Sequence, residues 1–305
     1  MTASRLPMPG RRFVIGVPYV WLIVFFLLPF LILLYISFVD MGSDIHPFKP
    51  IWDTQTGVLK LKYENYWSIF RAGEGGALFQ TLYIEAYLRS TWYALWTALL
   101  CLLIGYPFAY FIARSPASIR PALLMMVMLP FWTSFLLRVY AWKGILADQG
   151  VLNRLLMALG VVDEPIQMLY TNVSMLVGMT YVYLPFMVLP LYANLVKMDI
   201  RLLEAAYDLG ASPLRAFWLV TVPLSKAGIV AGFMLVFIPS VGEFVIPSLL
   251  GGPENLMIGR VVWDEMFTSN NWPRATALAV VMIALIVVPL AIYYHYTGES
   301  SGSRA

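Results

Sequence analysis

Long stretches without a charged residue alternate with short polar ones along this chain. The uncharged runs are Phe13–Val39, Ser90–Ala113, Pro121–Leu137, Pro165–Val196, Ala227–Gly242 and Ala275–Gly298. A helix of about 20 apolar residues crosses the hydrocarbon core of a bilayer, and a helix satisfies its own backbone N–H and C=O groups where no water can. Four of the runs are long enough outright. Pro121–Leu137 falls short, and Ala227–Gly242 reaches full length only by running on past Glu243. The pattern predicts six membrane helices. The first run is too long for the apolar core of a secretion signal and no small-x-small cleavage site follows it, so it is expected to stay as a span.

The polar intervals differ in character. Residues 40–89 form the largest, with turn residues and a surface helix expected near Ala77–Leu88. Residues 138–164 form the second, where 150–160 has the spacing of a short amphipathic helix ended by Gly160. Residues 1–12 and 299–305 are expected as cytoplasmic tails, with 13–298 as one membrane domain. The interval at about 197–226 reads differently from a simple connector. Asp199 can cap a first helix, Gly210 can end it in a left-handed turn, and Ser212-Pro213 can start a second. Two ordered helices in so short a loop make a docking surface; the alternative is an ordinary amphipathic connector.

Prolines stand in or near most spans (Pro29, Pro107, Pro130, Pro185, Pro190, Pro239, Pro247, Pro289), as is common in membrane helices. Residues 238–247 go further: two prolines, Gly242 and Glu243 interrupt one span, which predicts a broken helix carrying a charge.

Composition agrees with this picture. The chain is 60% hydrophobic and 12% charged, with mean hydropathy +0.76, where soluble proteins carry about 25% charge. With the N-terminus inside, the 20 Lys and Arg divide evenly between the faces, but they are denser in the shorter inner loops. Of the 17 acids only Asp199, Glu204, Asp208 and Glu299 fall inside, so the inner face is positive and the outer negative. No basic cluster points to nucleic acid. Cys101 is the single cysteine and is expected as a small buried hydrophobe. There is no Gly-x-x-x-x-Gly-Lys-Ser/Thr phosphate loop, no His-Glu-x-x-His, no cysteine pair and no supported Ser-His-Asp arrangement. His46 and His295 are isolated. No catalysis, metal or bound cofactor is expected of this chain.

Residues 204–223 carry Glu204-Ala205-Ala206, three residues, Gly210, nine residues and then Val220-x-Val222-Pro223. This resembles the EAA loop of bacterial ABC-importer permeases, with two valines in place of the aliphatic Ile and Leu. Further stretches (129–142, 184–190, 241–253, 257–260 and 271–273) resemble the polyamine-type permeases of that family, above all the putrescine branch. The resemblance implies an all-α integral membrane protein with the six-span type I ABC-importer permease fold and a cytoplasmic coupling helix, in the bacterial inner membrane with both termini cytoplasmic. It implies a second, usually different permease subunit, two ATP-binding subunits that hold ATP and magnesium, and an external solute-binding protein that delivers the polyamine. Glu204, Ala205, Ala206, Gly210 and Pro223 are the expected ATPase-coupling residues. In the loop, Leu202, Leu203 and Leu209 are expected to form the apolar side of the first helix, and Leu214, Phe217 and Trp218 to face the protein's own helices.

A flexible, multiply protonated alkyl chain calls for carboxylates and aromatic faces. Glu243 is the sharpest candidate, an acid in an apolar span: either a cation passes it, or a partner such as an arginine neutralises it. Trp132, Tyr181, Tyr183 and Trp263 are candidate pathway linings, though aromatics near a membrane interface are commonly belt residues. Asp264 and Glu265 are candidates for an outer attractive mouth, and Arg138 and Lys143 for topology or binding-protein contacts. Two other readings stay open: an ion-coupled secondary transporter or channel using Glu243, which leaves the coupling loop unexplained, and an importer of another small solute.

Overall fold

The computed structural model describes residues 10–43, 46–52, 60–70 and 82–302, and among them the regular structure is helical. In chain order the helices are α1 (Gly10–Leu22), α2 (Leu28–Ser37), α3 (Glu64–Phe70), α4 (Leu82–Arg114), α5 (Arg120–Met128), α6 (Phe135–Leu146), α7 (Val151–Ala158) and α8 (Asn172–Leu195). They continue with α9 (Arg201–Asp208), α10 (Pro213–Ala216), α11 (Val222–Leu224), α12 (Lys226–Val241), α13 (Val245–Leu250), α14 (Ile258–Trp263) and α15 (Trp272–Gly302). The described residues belong to two compact units, one of 1–81 with 262–305 and one of 82–261.

In the first unit, α1 and α2 run on through a π-helical turn, Ile23–Leu27, as one apolar helix over Phe13–Ser37. Pro29 explains that turn: it has no N–H and its ring crowds the preceding carbonyl, so the ladder widens and the Leu28 N–H reaches back to Ile23 O. Most of this helix is exposed and apolar all round, a surface that requires hydrocarbon or another chain. The Asn65 side-chain amide donates to the carbonyls of Ser37 and Val39, both at 2.9 Å, and so closes the end of α2. The last helix, α15, packs on α2 and α3 and extends through Gly302, beyond the expected span end at Gly298.

In the second unit, α4, α8 and α12 pack together as the core. Ala94, Ala98, Cys101, Gly105 and Ala109 form a buried stripe at helical spacing on α4, so neighbouring backbones approach closely. Cys101 is fully buried there, its Sγ 3.5 Å from the Thr180 carbonyl. On α12, Gly228 and Gly232 face α8: a Cβ at Gly228 would stand 2.7 Å from Asn194 Cβ, and one at Gly232 2.7 Å from Met187 Sδ. This Gly-x-x-x-Gly pair sets how close α12 and α8 lie.

Several sequence expectations change here. Leu82–Leu88 is the opening of the long α4 rather than a separate surface helix, and 77–81 lie outside the described residues. Residues 165–171 are not helical. Thr171 and Ser174 form a reciprocal capping box that starts α8 at Asn172. Two spans are not straight. The third breaks by 87° between Arg120–Trp132 and Phe135–Ala158, where Pro130 tightens a 3-10 turn and Thr133 and Ser134 are extended. The fifth ends at Val241 instead of running past Glu243, and its extra length comes from the other side, Pro213–Leu224 joined to Lys226–Val241 at a 67° bend.

Candidate functional site

The loop between α8 and α12 folds as its residues dictate. The Asp199 carboxylate accepts from the Arg201 N–H at 3.0 Å at the start of α9. At its other end Gly210 has φ +81°, its N–H donates to Tyr207 O at 2.8 Å, and the Ala211 N–H donates to Ala206 O at 3.0 Å. These two bonds are the Schellman closure that needs a left-handed residue. Ser212 then accepts from the Arg215 N–H with Pro213 in the first turn, and α10 begins. Pro223 repeats the pattern seen at Pro29: a π-helical turn, Phe217–Thr221, precedes it, and the Val222 N–H reaches back to Phe217 O.

Glu204 and Ala205 are exposed on α9 and Ala206 is half-buried. Glu204 sits in the first turn, where the helix dipole favours a carboxylate. Only Leu203 of the three expected apolar residues is buried; Leu202 is exposed and Leu209 is 88% exposed. Of the residues expected to face the protein's own helices, Phe217 does so, edge-on to Tyr106 and Tyr110 with ring centroids 5.5 and 6.1 Å away. Leu214 and Trp218 do not: they are 70% and 60% exposed. They form an apolar face, but one that is turned outward.

The second centre is the break after α12. Glu243 is half-buried between α12 and α13. Its Oε2 accepts from the Tyr183 hydroxyl at 2.5 Å, and its Oε1 accepts from the N–H groups of Val245 and Ile246 at 3.0 and 3.4 Å. The carboxylate therefore caps the first turn of α13. Among the described residues its partners are a phenol and two backbone amides, and the arginine considered from sequence is not one of them. Tyr183 leads on through rings the sequence did not single out: Phe186 at 6.2 Å, then Phe131 on Phe186 at 5.2 Å. The Arg138 guanidinium lies over Phe131 at 4.9 Å and Phe135 at 6.0 Å, and its Nε and Nη1 are buried with no hydrogen-bond partner among the described residues. Trp132, next to Phe131, is exposed. Tyr181 stacks edge-on with Trp142 at 5.5 Å, and Lys143 lies 5.6 Å from the Tyr170 ring. Tyr183 and Glu243 are thus directly joined. Trp263, Asp264 and Glu265 belong to the first unit, where Asp264 and Glu265 open a π-helical turn and Glu265 faces Arg274 at 4.0 Å.

Residues 105–297 match the family model described as binding-protein-dependent transport system inner membrane component. The chain belongs to this family. The permease is 37% identical over 285 residues to the spermidine/putrescine transport system permease protein PotB of Haemophilus influenzae, covering 93% of each chain. It is 37% identical to PotB of Escherichia coli, over 90% of this chain and 93% of that one. It is 33% identical to the inner membrane ABC transporter permease protein YdcU of Escherichia coli, over 70% and 72%. Among solved structures, a chain of a bacterial ABC transporter that imports the acidic polysaccharide alginate superposes with a TM-score of 0.62 at 17% identity, covering 95% of the permease and 96% of that chain. At that identity the likeness shows the fold.

Proposed function

We propose that the permease forms half of the translocation pathway of an ATP-driven polyamine importer, taking up putrescine or spermidine. Its loop at about 197–226 is the coupling element that rides on a cytoplasmic ATP-binding subunit. The observation that carries this reading is the loop itself: two short helices joined by a Schellman turn at Gly210, presenting Glu204, Ala205 and the apolar Leu202 and Leu209 outward. An exposed, ordered and partly apolar face on a short loop is a surface made to be covered. The relatives named PotB support the substrate class, and the acid and aromatic groups at Tyr183 and Glu243 suit a cationic alkyl chain.

In this reading both termini are cytoplasmic and a second, different permease completes the pathway. Two partner subunits bind ATP and magnesium and hydrolyse the ATP, so this chain holds no cofactor. An external binding protein delivers the polyamine. ATP closure pushes through the loop and opens the permease pair outward, and hydrolysis resets it. Glu204 offers its carboxylate to a cation of the ATPase, with Ala205 and Ala206 keeping that face low. Trp132, Tyr183 and Glu243 are the route residues proposed for the second unit, and Trp263, Asp264 and Glu265 those proposed for the first, each set by itself.

The test is ATP hydrolysis by the permease reconstituted with its partner permease, ATPase and binding protein. Putrescine-loaded binding protein is expected to stimulate hydrolysis, and Glu204→Arg is expected to abolish the stimulation. Putrescine uptake by this chain in the absence of any ATPase would overturn the reading.

A further inference from the structure

The bend at Ser225 joins the loop to α12, and it is held by a contact neither centre uses. Ser225 is fully buried, and its hydroxyl donates to the carbonyl of Val222, the first residue of α11, at 3.0 Å. That bond uses the one proton the serine has. The 2.7 Å contact between Ser225 Oγ and the Tyr106 oxygen is therefore a donation from the tyrosine. Tyr106 is itself buried on α4, next to Gly105 of the small-residue stripe that packs the core. The ring stands edge-on to Phe217, the first residue of the π-helical turn. One side chain thus touches the loop's second segment, the elbow and the long helix. The surrounding surface is apolar, lined by Leu99, Leu102, Leu103, Val222 and Ile229. A phenylalanine would fill the same space, so what the hydroxyl adds is the bond to the elbow.

A 67° bend between two helical arms is a place where displacement of one arm can be absorbed instead of passed on. Beyond the bend, α12 is seated closely on α8 through Gly228 and Gly232. We infer that Tyr106 is a positioning residue for energy coupling: by fixing the elbow at Ser225 to α4, it makes displacement of the loop reach the α4–α8–α12 core. This rests on the reading of the chain as an ATP-driven permease.

The experiment uses the complete complex in vesicles, with putrescine uptake and ATP hydrolysis measured in the same sample. Absence of ATP-dependent uptake by the wild-type complex would sink the permease reading itself, before any variant is considered. Given that uptake, Tyr106→Phe and Ser225→Ala are each expected to retain stimulated hydrolysis. Each is expected to lower putrescine moved per ATP by roughly 2- to 10-fold, the range one net hydrogen bond supports. The double variant is expected to be no worse than Ser225→Ala alone, because that substitution already removes the bond that Tyr106→Phe removes. Tyr106→Phe keeps the ring volume, so the complex assembles. An unchanged ratio overturns the inference, as does a proportional fall in uptake and hydrolysis, or an additive loss in the double variant.

Discussion

Replacing Gly210 separates the geometry of the loop from its chemistry. The residue is exposed, and a Cβ built there meets nothing within 4 Å, so alanine introduces no clash. What alanine does meet is its own backbone: at φ +81° an L-residue loses roughly 1–2 kcal/mol relative to glycine. Since about 1.4 kcal/mol is a factor of ten, opening of the turn should become roughly 5- to 30-fold more frequent in Gly210→Ala. The Gly210 and Ala211 N–H groups are the ones released, because they donate to Tyr207 and Ala206. Hydrogen exchange at positions 210 and 211 of the purified complex should accelerate by that factor. Putrescine-stimulated ATP hydrolysis should fall with it. Gly210→Val should be worse than alanine, because a β-branched residue tolerates this region least. Gly210→Asn should recover most of the loss, since asparagine enters the left-handed region readily. If alanine, valine and asparagine exchange at the glycine rate, the turn is not held by its backbone conformation and the reasoning fails.

Two further tests address the core and the carboxylate. Gly228→Ala is expected to cost about 1–3 kcal/mol, and Gly232→Ala less, because a new Cβ meets Asn194 Cβ, fixed to its backbone, in the first case and the movable Met187 sulfur in the second. Thermal melts of the detergent-solubilised complex check this, and the reverse order would refute it. Tyr183→Phe removes one of three donors to Glu243 and should cost about 1–3 kcal/mol, while Glu243→Ala should cost more, since it also uncaps α13. Melts in which Tyr183→Phe adds its full cost on top of Glu243→Ala would refute the direct bond.

The parts of this architecture legible in the sequence are those set by neighbours along the chain. Gly210 ends α9 and Gly160 follows α7, both at positive φ, and Ser212-Pro213 starts α10. Each depends on a local dihedral or a cap three residues away, which composition and spacing report. The break at Glu243 was equally legible, because two prolines and a glycine surround it. The bonds that fasten these elements were not. Tyr183 meets Glu243 across 60 residues and Tyr106 meets Ser225 across 119, and nothing in a single sequence marks such pairs. The Gly228/Gly232 pair was not singled out, because a Gly-x-x-x-Gly spacing permits a close approach without naming α8 as the neighbour. Leu214 and Trp218 fail differently. Their spacing correctly makes an apolar face, but apolarity does not distinguish the protein's own core from lipid or from another subunit.

The coupling loop leads into one end of α12 and Glu243 follows the other, so the role proposed for Glu243 extends beyond attraction. Its carboxylate already accepts from Tyr183 and from the first turn of α13. A cation that takes this carboxylate as its partner competes with those donors, each worth about 1–3 kcal/mol when a buried group is left without it. On the proposed function, arrival of a substrate ammonium at Glu243 would therefore bear on the cap of α13 and on its bond to α8. At the opposite end the same helix begins at the Ser225 elbow, below the loop that the ATPase is proposed to move. Because Gly228 and Gly232 hold α12 against α8 between these points, a shift at either end is not confined to one turn of helix. Ligand at Glu243 and displacement of the loop, as proposed, would then act on one packed body, which is the physical requirement for either to influence the other.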